Sequence, residues 1–200
     1  MKITKKIVSV SLSFVLLVLS VVISVSKEAK AAVTDEEIIY NYLLETMGFN
    51  TAAACGILGN ISVETGNTFS TTSYYDIENA WGICQWRNDR LANLQSRYPS
   101  SWKTLESQLG FLKWELEGGD YNGKKTLNYL KAVANTAAGA SDAAQYFAQY
   151  YERCVASSYS TRMNKAQNTY WPKYGTVTDE HTIDNRFPQN FVTYLADPLS

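Results

Sequence analysis

Glu64 is the residue whose position best suits acid–base chemistry. In a helix it would share one apolar face with Ile57 and Ile61, which precede it by seven and three residues. It also lies in the last turn before Gly66, a typical helix terminator. Partial burial and the negative end of the helix dipole both disfavour a carboxylate. We therefore expect Glu64 to hold a proton near neutral pH, as a glycosidase general acid must; the alternative is a solvated Glu at a frayed helix end.

An irregular stretch follows Glu64 and carries two further carboxylates. Residues 66–83 are rich in Gly, Thr, Ser and Tyr and lack helical spacing, which is typical of a loop or a small β-hairpin. A glycosidase that works with two carboxyl groups needs a second Asp or Glu near the sugar ring. Asp76 and Glu78 are the candidates in this stretch, although an Asp in a turn is an equally good interpretation of Asp76.

Aromatic side chains surround the same stretch. Rings of Tyr and Trp stack on the C–H faces of sugars and suit a half-wet groove. We predict that Tyr74, Tyr75, Trp81 and Trp86 bind substrate, with core packing as the alternative. For Trp114, which lies among leucines, we predict core packing.

Two short motifs resemble those of the lysozyme-like superfamily. In its lytic transglycosylases the catalytic Glu ends a helix, Ser follows it, and a Gly-Leu-Met-Gln-type segment comes later. The counterparts here are Glu64, Thr65 in place of Ser, and Gly82-Ile83-Cys84-Gln85. The stretch CGILGNISVE that ends at Glu64, together with the later GICQW, looks like the phage tail-tip lysozyme family. Looser agreement extends the resemblance to roughly residues 34–174, through Leu109–Leu116, Ala143–Phe147 and Tyr150–Arg153.

The resemblance implies a fold, a reaction and roles for individual residues. The fold would be mainly α (α+β, lysozyme-like), with the irregular insert beside the catalytic cleft. Glu64 would donate a proton to the oxygen between N-acetylmuramic acid and N-acetylglucosamine. Gln85 would line the cleft and bond a sugar group or orient Glu64, with a helix-start residue facing water as the alternative. Thr65 would bond the backbone or Glu64. For Tyr150–Arg153 we favour packing plus a surface ion pair over an edge of the cleft.

Two reaction outcomes stay open at this point. A muramidase would use Glu64 with a second carboxylate. A lytic transglycosylase would use Glu64 alone, first as acid and then as base, while the muramic C6 hydroxyl closes a 1,6-anhydro ring. Two other functions compete: a catalytically silent module that binds peptidoglycan or a partner, and a thiol peptidase or amidase that uses Cys84 or Cys55 with His181.

Apolar spacing and capping residues predict the helices that must position this site. A capping box of Thr34 and Glu37 opens the first helix, which Gly48 stops, and Asn50 caps the helix that carries Glu64. Further helices are predicted over 85–98, 101–117, 124–134, 141–154 with Ser141 as its cap, and 160–170.

The two ends of the chain differ from the body. Three lysines in the first six residues, the apolar run Ile7–Val25 and the sequence Ala29-Lys30-Ala31 are typical of a secretory signal peptide over residues 1–31. An uncleaved membrane anchor is the alternative. We predict a catalytic domain over 32–174, a polar tail over 175–200, and a secreted protein without stable membrane insertion.

Composition limits the partners and cofactors. After residue 31 the chain has 13 basic and 18 acidic residues, a net charge of −5, which argues against nucleic acid as a ligand. We expect peptidoglycan glycan strands as the partner, bound with weak salt dependence. A secretion or conjugation apparatus is a further partner consistent with export. The three cysteines are either all buried and reduced or include one disulfide, and no metal or other cofactor is expected.

Overall fold

The structure is a computed structural model that describes residues 32–175. The signal-peptide prediction for residues 1–31, the tail prediction beyond Gly175 and the side chain of His181 all lie outside the described residues. None of the described helices is both long enough and apolar enough to span a membrane.

The described region is mainly α-helical with one small antiparallel sheet, which confirms the predicted fold class. The helices are α1 (Asp35–Glu45), α2 (Thr51–Glu64), α3 (Asn88–Arg97), α4 (Leu105–Trp114), α5 (Gly123–Ala132), α6 (Ala137–Phe147), α7 (Tyr159–Lys165) and α8 (Trp171–Tyr174). The strands are β1 (Tyr74–Tyr75) and β2 (Ala80–Trp81), which follow α2 in the chain. Single π-helical turns extend α4 over Glu115–Gly119, α6 over Ala148–Glu152, and α7 over Ala166–Tyr170.

Helix α2 is the central element of the core. Most of its residues are buried on every side, because α6, α7 and the turn after α7 pack around it. Small residues permit this close approach. A Cβ added at Gly56 would lie 2.5 Å from the Cβ of Ala143, and one added at Gly59 would lie 2.7 Å from the carbonyl oxygen of Arg162. The packing therefore fixes the axial position of α2, and with it the position of Glu64 at its end.

The helix starts confirm most of the predicted caps. Thr34 and Glu37 form the capping box of α1, and Asn50 caps α2 by accepting from the backbone N–H of Ala53. The cap predicted at Ser141 is wrong, because α6 begins earlier, at Thr136, whose side chain accepts from the N–H of Gly139. The Thr-x-x-Gly pattern at Thr136 lacks the acidic third residue that marks a capping box, so it is a weak signal.

The irregular stretch after Gly66 contains a small hairpin, which is one of the two structures predicted for it. Tyr74 pairs with Trp81 and Tyr75 with Ala80, and a short 3₁₀ turn, Asp76–Glu78, joins the two strands. A further antiparallel bridge links Trp81 to Trp86 through both backbone hydrogen bonds. The hairpin and the second motif are therefore one continuous backbone unit that begins shortly after Glu64.

Candidate active site

Glu64 is the last residue of α2, and its carboxylate forms an ion pair. Nη2 of Arg162, on α7, donates to Oε1 of Glu64 at 2.6 Å. The side chain of Glu64 is 15% exposed and that of Arg162 is 5% exposed, so the pair is well shielded from water and from salt. No local pattern in the sequence singled out Arg162.

Arg162 is held in place by the helices around α2. Its Nη1 donates to Oδ1 of Asn60 at 3.1 Å, and its Nε donates to the hydroxyl of Ser158. Asn60 is itself buried and donates to the carbonyl oxygens of Gly56 and Ala144. The carboxylate of Glu64 thus has a fixed cationic partner that is positioned by the contacts of α2 with α6 and α7.

Glu64 lies at the boundary of two open chambers. The first, here called the arginine chamber, has a volume of about 490 Å³ and a strongly charged lining. The second, here called the hairpin chamber, has a volume of about 420 Å³ and is lined partly by the β-hairpin. Glu64, Glu78 and Gln85 line both chambers. An extended ligand that occupies both would therefore pass over Glu64.

Gln85 holds the second motif against the hairpin. Its backbone adopts a left-handed φ of 45°, which is uncommon for a residue other than glycine. Its side-chain nitrogen donates to the carbonyl oxygens of Ser73 at 3.1 Å and Gly82 at 2.9 Å, rather than to Glu64. Within the described residues its side-chain oxygen accepts no hydrogen bond, and the residue lines both chambers.

Gly82 is required by the local geometry of the same motif. Its φ is +79°, and a Cβ there would lie 2.5 Å from Oε1 of Gln108. That oxygen accepts from the N–H of Ile83 at 3.0 Å, while the amide nitrogen of Gln108 donates to the carbonyl oxygen of Thr71. A buried glutamine thus ties the turn of the motif to the start of the irregular stretch.

Thr65 is buried and bonds to the backbone. Its hydroxyl donates to the carbonyl oxygen of Ile61 at 2.8 Å and accepts from the N–H of Phe69 at 3.0 Å. This contact shapes the chain just beyond the end of α2. Thr65 also borders the hairpin chamber.

The aromatic wall of the hairpin chamber consists of Tyr74 and Tyr75, each 49% exposed. Tyr74 contacts the ring of Trp81 at a centroid distance of 4.3 Å, and Trp81 in turn meets Trp102 edge-on at 5.4 Å. Trp81 therefore supports the wall from behind more than it lines the chamber. Its contact with the ammonium group of Lys103, 4.4 Å from the ring centroid, reinforces that position.

The prediction that Trp86 binds substrate is wrong. Trp86 is fully buried, and its indole N–H donates to Oε2 of Glu115 at 2.8 Å. Glu115 also accepts from Tyr151 at 2.6 Å and from Arg90 through two nitrogens at 2.7 and 2.8 Å. Because a buried indole N–H needs a partner, Trp86 and this carboxylate form part of the core behind the site.

The two acidic residues of the hairpin differ in position. Asp76 is exposed, accepts from the N–H of Ile77 and does not line either chamber, a placement that favours its interpretation as a turn residue. Glu78 lines both chambers and forms an ion pair with Arg87. Of the two, only Glu78 lines the chambers.

The segment Tyr150–Arg153 contributes more than the packing that we favoured from the sequence. Tyr151 is a core residue, and Arg153 pairs with Asp120 at 2.9 Å, as that interpretation requires. Glu152 and Arg153, however, also line the arginine chamber. Burial raises the pKa of Glu152 to about 8, and the negative charge of Glu64 contributes to the shift.

The cysteines are all free, and two of them are buried. Burial raises the pKa of the Cys84 thiol well above its ordinary value and that of Cys55 to about 12. A nucleophilic cysteine needs the opposite shift. The thiol-enzyme alternative is therefore disfavoured for both residues.

The comparison with family profiles gives a match over residues 34–172, to the phage tail lysozyme family. The chain belongs to that family. No curated protein matched the chain. Membership indicates a lysozyme-like peptidoglycan hydrolase of the glycosidase type, with peptidoglycan as its substrate. Nearly all of the described helical body, and both chambers, lie within the matched range.

Proposed function

We propose that this lysozyme family member is a secreted enzyme that cleaves the bond between N-acetylmuramic acid and N-acetylglucosamine, with Glu64 as the general acid. The observation that supports this assignment is the position of Glu64. It is a largely buried carboxyl group at the boundary between two open chambers, on a rigid helix end. A glycan strand that fills both chambers would present a glycosidic bond to it.

The surrounding side chains have roles that suit this reaction. When Glu64 gives its proton to the leaving oxygen, the C–O bond breaks and Glu64 becomes negatively charged. The guanidinium of Arg162 then stabilises that charge at a fixed position. The exposed faces of Tyr74 and Tyr75 would stack on sugar rings in the hairpin chamber, and the free amide oxygen of Gln85 would accept a bond from a sugar hydroxyl or acetamido N–H.

Secretion is proposed from the sequence of residues 1–31, whose basic start, apolar run and Ala-Lys-Ala end are typical of a signal peptide. Export would bring the enzyme to the cell wall, where its substrate lies. Cleavage of the peptide after Ala31 would leave the catalytic body free of its apolar segment.

The decisive experiment is mass spectrometry of the soluble products from purified peptidoglycan. Full-length wild type, Glu64→Gln and Glu117→Gln are compared. Glu117 is an exposed residue paired with Lys113, and it lines neither chamber, so it controls for the chemical change alone. We expect Glu64→Gln to lose activity by about 10²–10⁴-fold and Glu117→Gln to keep it.

The products also identify the reaction. Muropeptides with a free reducing end indicate hydrolysis, whereas products lighter by one water indicate ring closure to the 1,6-anhydro form. Glycan products from wild type and Glu64→Gln in equal amounts would refute the role of Glu64. Sedimentation with peptidoglycan without release of any glycan fragment would favour the silent binding module.

A further inference from the structure

We propose that Glu152 is a positioning residue of this site, which shares the Arg162 guanidinium and a single proton with Glu64. The proposal deepens the proposed function and rests on it for the role of Glu64. It would explain how a carboxyl group that is paired with an arginine can still carry the proton that a general acid must donate.

The first support is the placement of Glu152. It ends the π-helical turn after α6 and directly precedes Arg153, whose backbone is left-handed. There it lines the arginine chamber together with Glu64 and Arg162. Its Oε1 atom is buried and has no hydrogen-bond partner within the described region. A buried carboxylate oxygen without a donor is costly, and a protonated carboxyl group is the less costly form.

The second support is the balance of charge around Glu152. Beyond burial, which is the largest cause, the charges that act on it most strongly are Glu64 and Glu115, which disfavour its ionised form, and Arg90 and Arg162, which favour it. The buried side chains of Cys84 and Tyr151 also interact with it electrostatically.

The cations of this cluster already have partners. Arg90 donates twice to Glu115, and Arg162 donates to Glu64 at 2.6 Å. Two guanidinium groups thus face three carboxyl groups, and Glu152 is the one left without a cation of its own. The cluster is neutral when one proton remains on it, and like charges at close range oppose loss of that proton.

The proposed step moves this proton within the pair. When a glycan binds, the proton leaves the carboxyl group of Glu152 and bonds to the carboxylate of Glu64, and Arg162 becomes the counter-ion of Glu152. Glu64 then donates the proton to the glycosidic oxygen, which takes the electron pair of the breaking C–O bond. Glu152 does not touch the reacting atoms in this sequence. It sets which carboxyl group the guanidinium neutralises.

The pH dependence of activity tests the proposal. Burial raises the pKa of Glu152 to about 8, and a group with a raised pKa keeps its proton up to higher pH. The alkaline limb of kcat/KM should therefore lie near pH 8. In Glu152→Gln the remaining carboxyl group faces Arg162 without a competing negative charge. We expect the alkaline limb to move to lower pH by about one unit or more, and Glu152→Asp to restore it in part. Glu117→Gln is the matched control and should leave the limb in place.

A second measurement needs no activity. In full-length protein with ¹³C-labelled glutamate, one carboxyl resonance should titrate near pH 8. That resonance should be absent from the spectrum of Glu152→Gln. An unchanged alkaline limb in a folded Glu152→Gln variant, or a wild type with no such resonance, would overturn the proposal. A wild type that shows the resonance but releases no glycan would refute the proposed function and leave the shared proton in place.

Discussion

The buried carboxylate of Glu115 offers the sharpest test of the core that supports the site. It is 1% exposed and accepts four hydrogen bonds, from Trp86, Tyr151 and twice from Arg90. The substitution Glu115→Gln keeps the shape but removes the charge, and its NH₂ group must face at least one of these donors. Arg90 then loses the carboxylate to which it donates two hydrogen bonds.

The expected loss in the free energy of unfolding is about 3–5 kcal/mol, the usual cost of breaking a buried ion pair by removing one partner. With a urea m-value of about 2 kcal/mol per molar, the midpoint of urea unfolding should fall by about 1.5–2.5 M. Urea unfolding followed by fluorescence and circular dichroism in parallel measures this shift and shows whether unfolding is two-state.

The control lies two residues further along the same turn. Glu117 is half exposed and makes an i,i+4 pair with Lys113 at 2.8 Å, which is worth about 0.5 kcal/mol. Glu117→Gln should therefore leave the midpoint almost unchanged. If Glu115→Gln were no more destabilising than Glu117→Gln, the hydrogen bonds that Glu115 accepts from Trp86, Tyr151 and Arg90 would not stabilise the core as we infer.

Three further predictions concern packing, thiols and the hairpin. Gly56→Ala should lower the free energy of unfolding by about 1–3 kcal/mol in a urea titration, because its Cβ would lie 2.5 Å from that of Ala143, and equal stability would contradict the close helix contact. A thiol reagent at pH 8 should label the partly exposed Cys154 in the native protein and the buried Cys84 only after unfolding. Peptide mapping identifies the labelled residue, and rapid labelling of Cys84 in the native protein would count against its burial. Asp76→Asn should release glycan products at the wild-type rate, and a large loss would restore Asp76 as the second carboxylate.

Local patterns in the sequence account for much of the helical framework. Caps such as Thr34 and Asn50 bond to backbone within their own first turn, so the residues that form the signal are neighbours in the chain. Leu109, Leu112 and Leu116 recur at helical spacing, and all three are buried on one face of their helix. Helix ends were less predictable, because π-helical turns extend three of the helices and the start of α6 has only a weak cap signal.

The sequence also placed Glu64 at a helix end and Gln85 beyond an irregular stretch, since both features depend on short-range spacing. Short-range spacing did not determine which of the aromatic residues are buried. Trp81 and Trp86 stand in one short motif, yet Trp86 is fully buried against Glu115 while Trp81 supports the exposed wall. Which ring is buried depends on the helices that pack behind the hairpin, and no local pattern contains that information.

Only the tertiary structure could bring Arg162 and Glu152 to Glu64. Both residues lie far along the chain, and each alone reads as a surface charge on a helix. Their proximity to Glu64 arises from the packing of α6 and α7 around α2, which also shields the charges from water. Burial and charge proximity are properties of the folded arrangement, so the sequence determined Glu64 and its helix, and the fold determined the electrostatic environment of its carboxyl group.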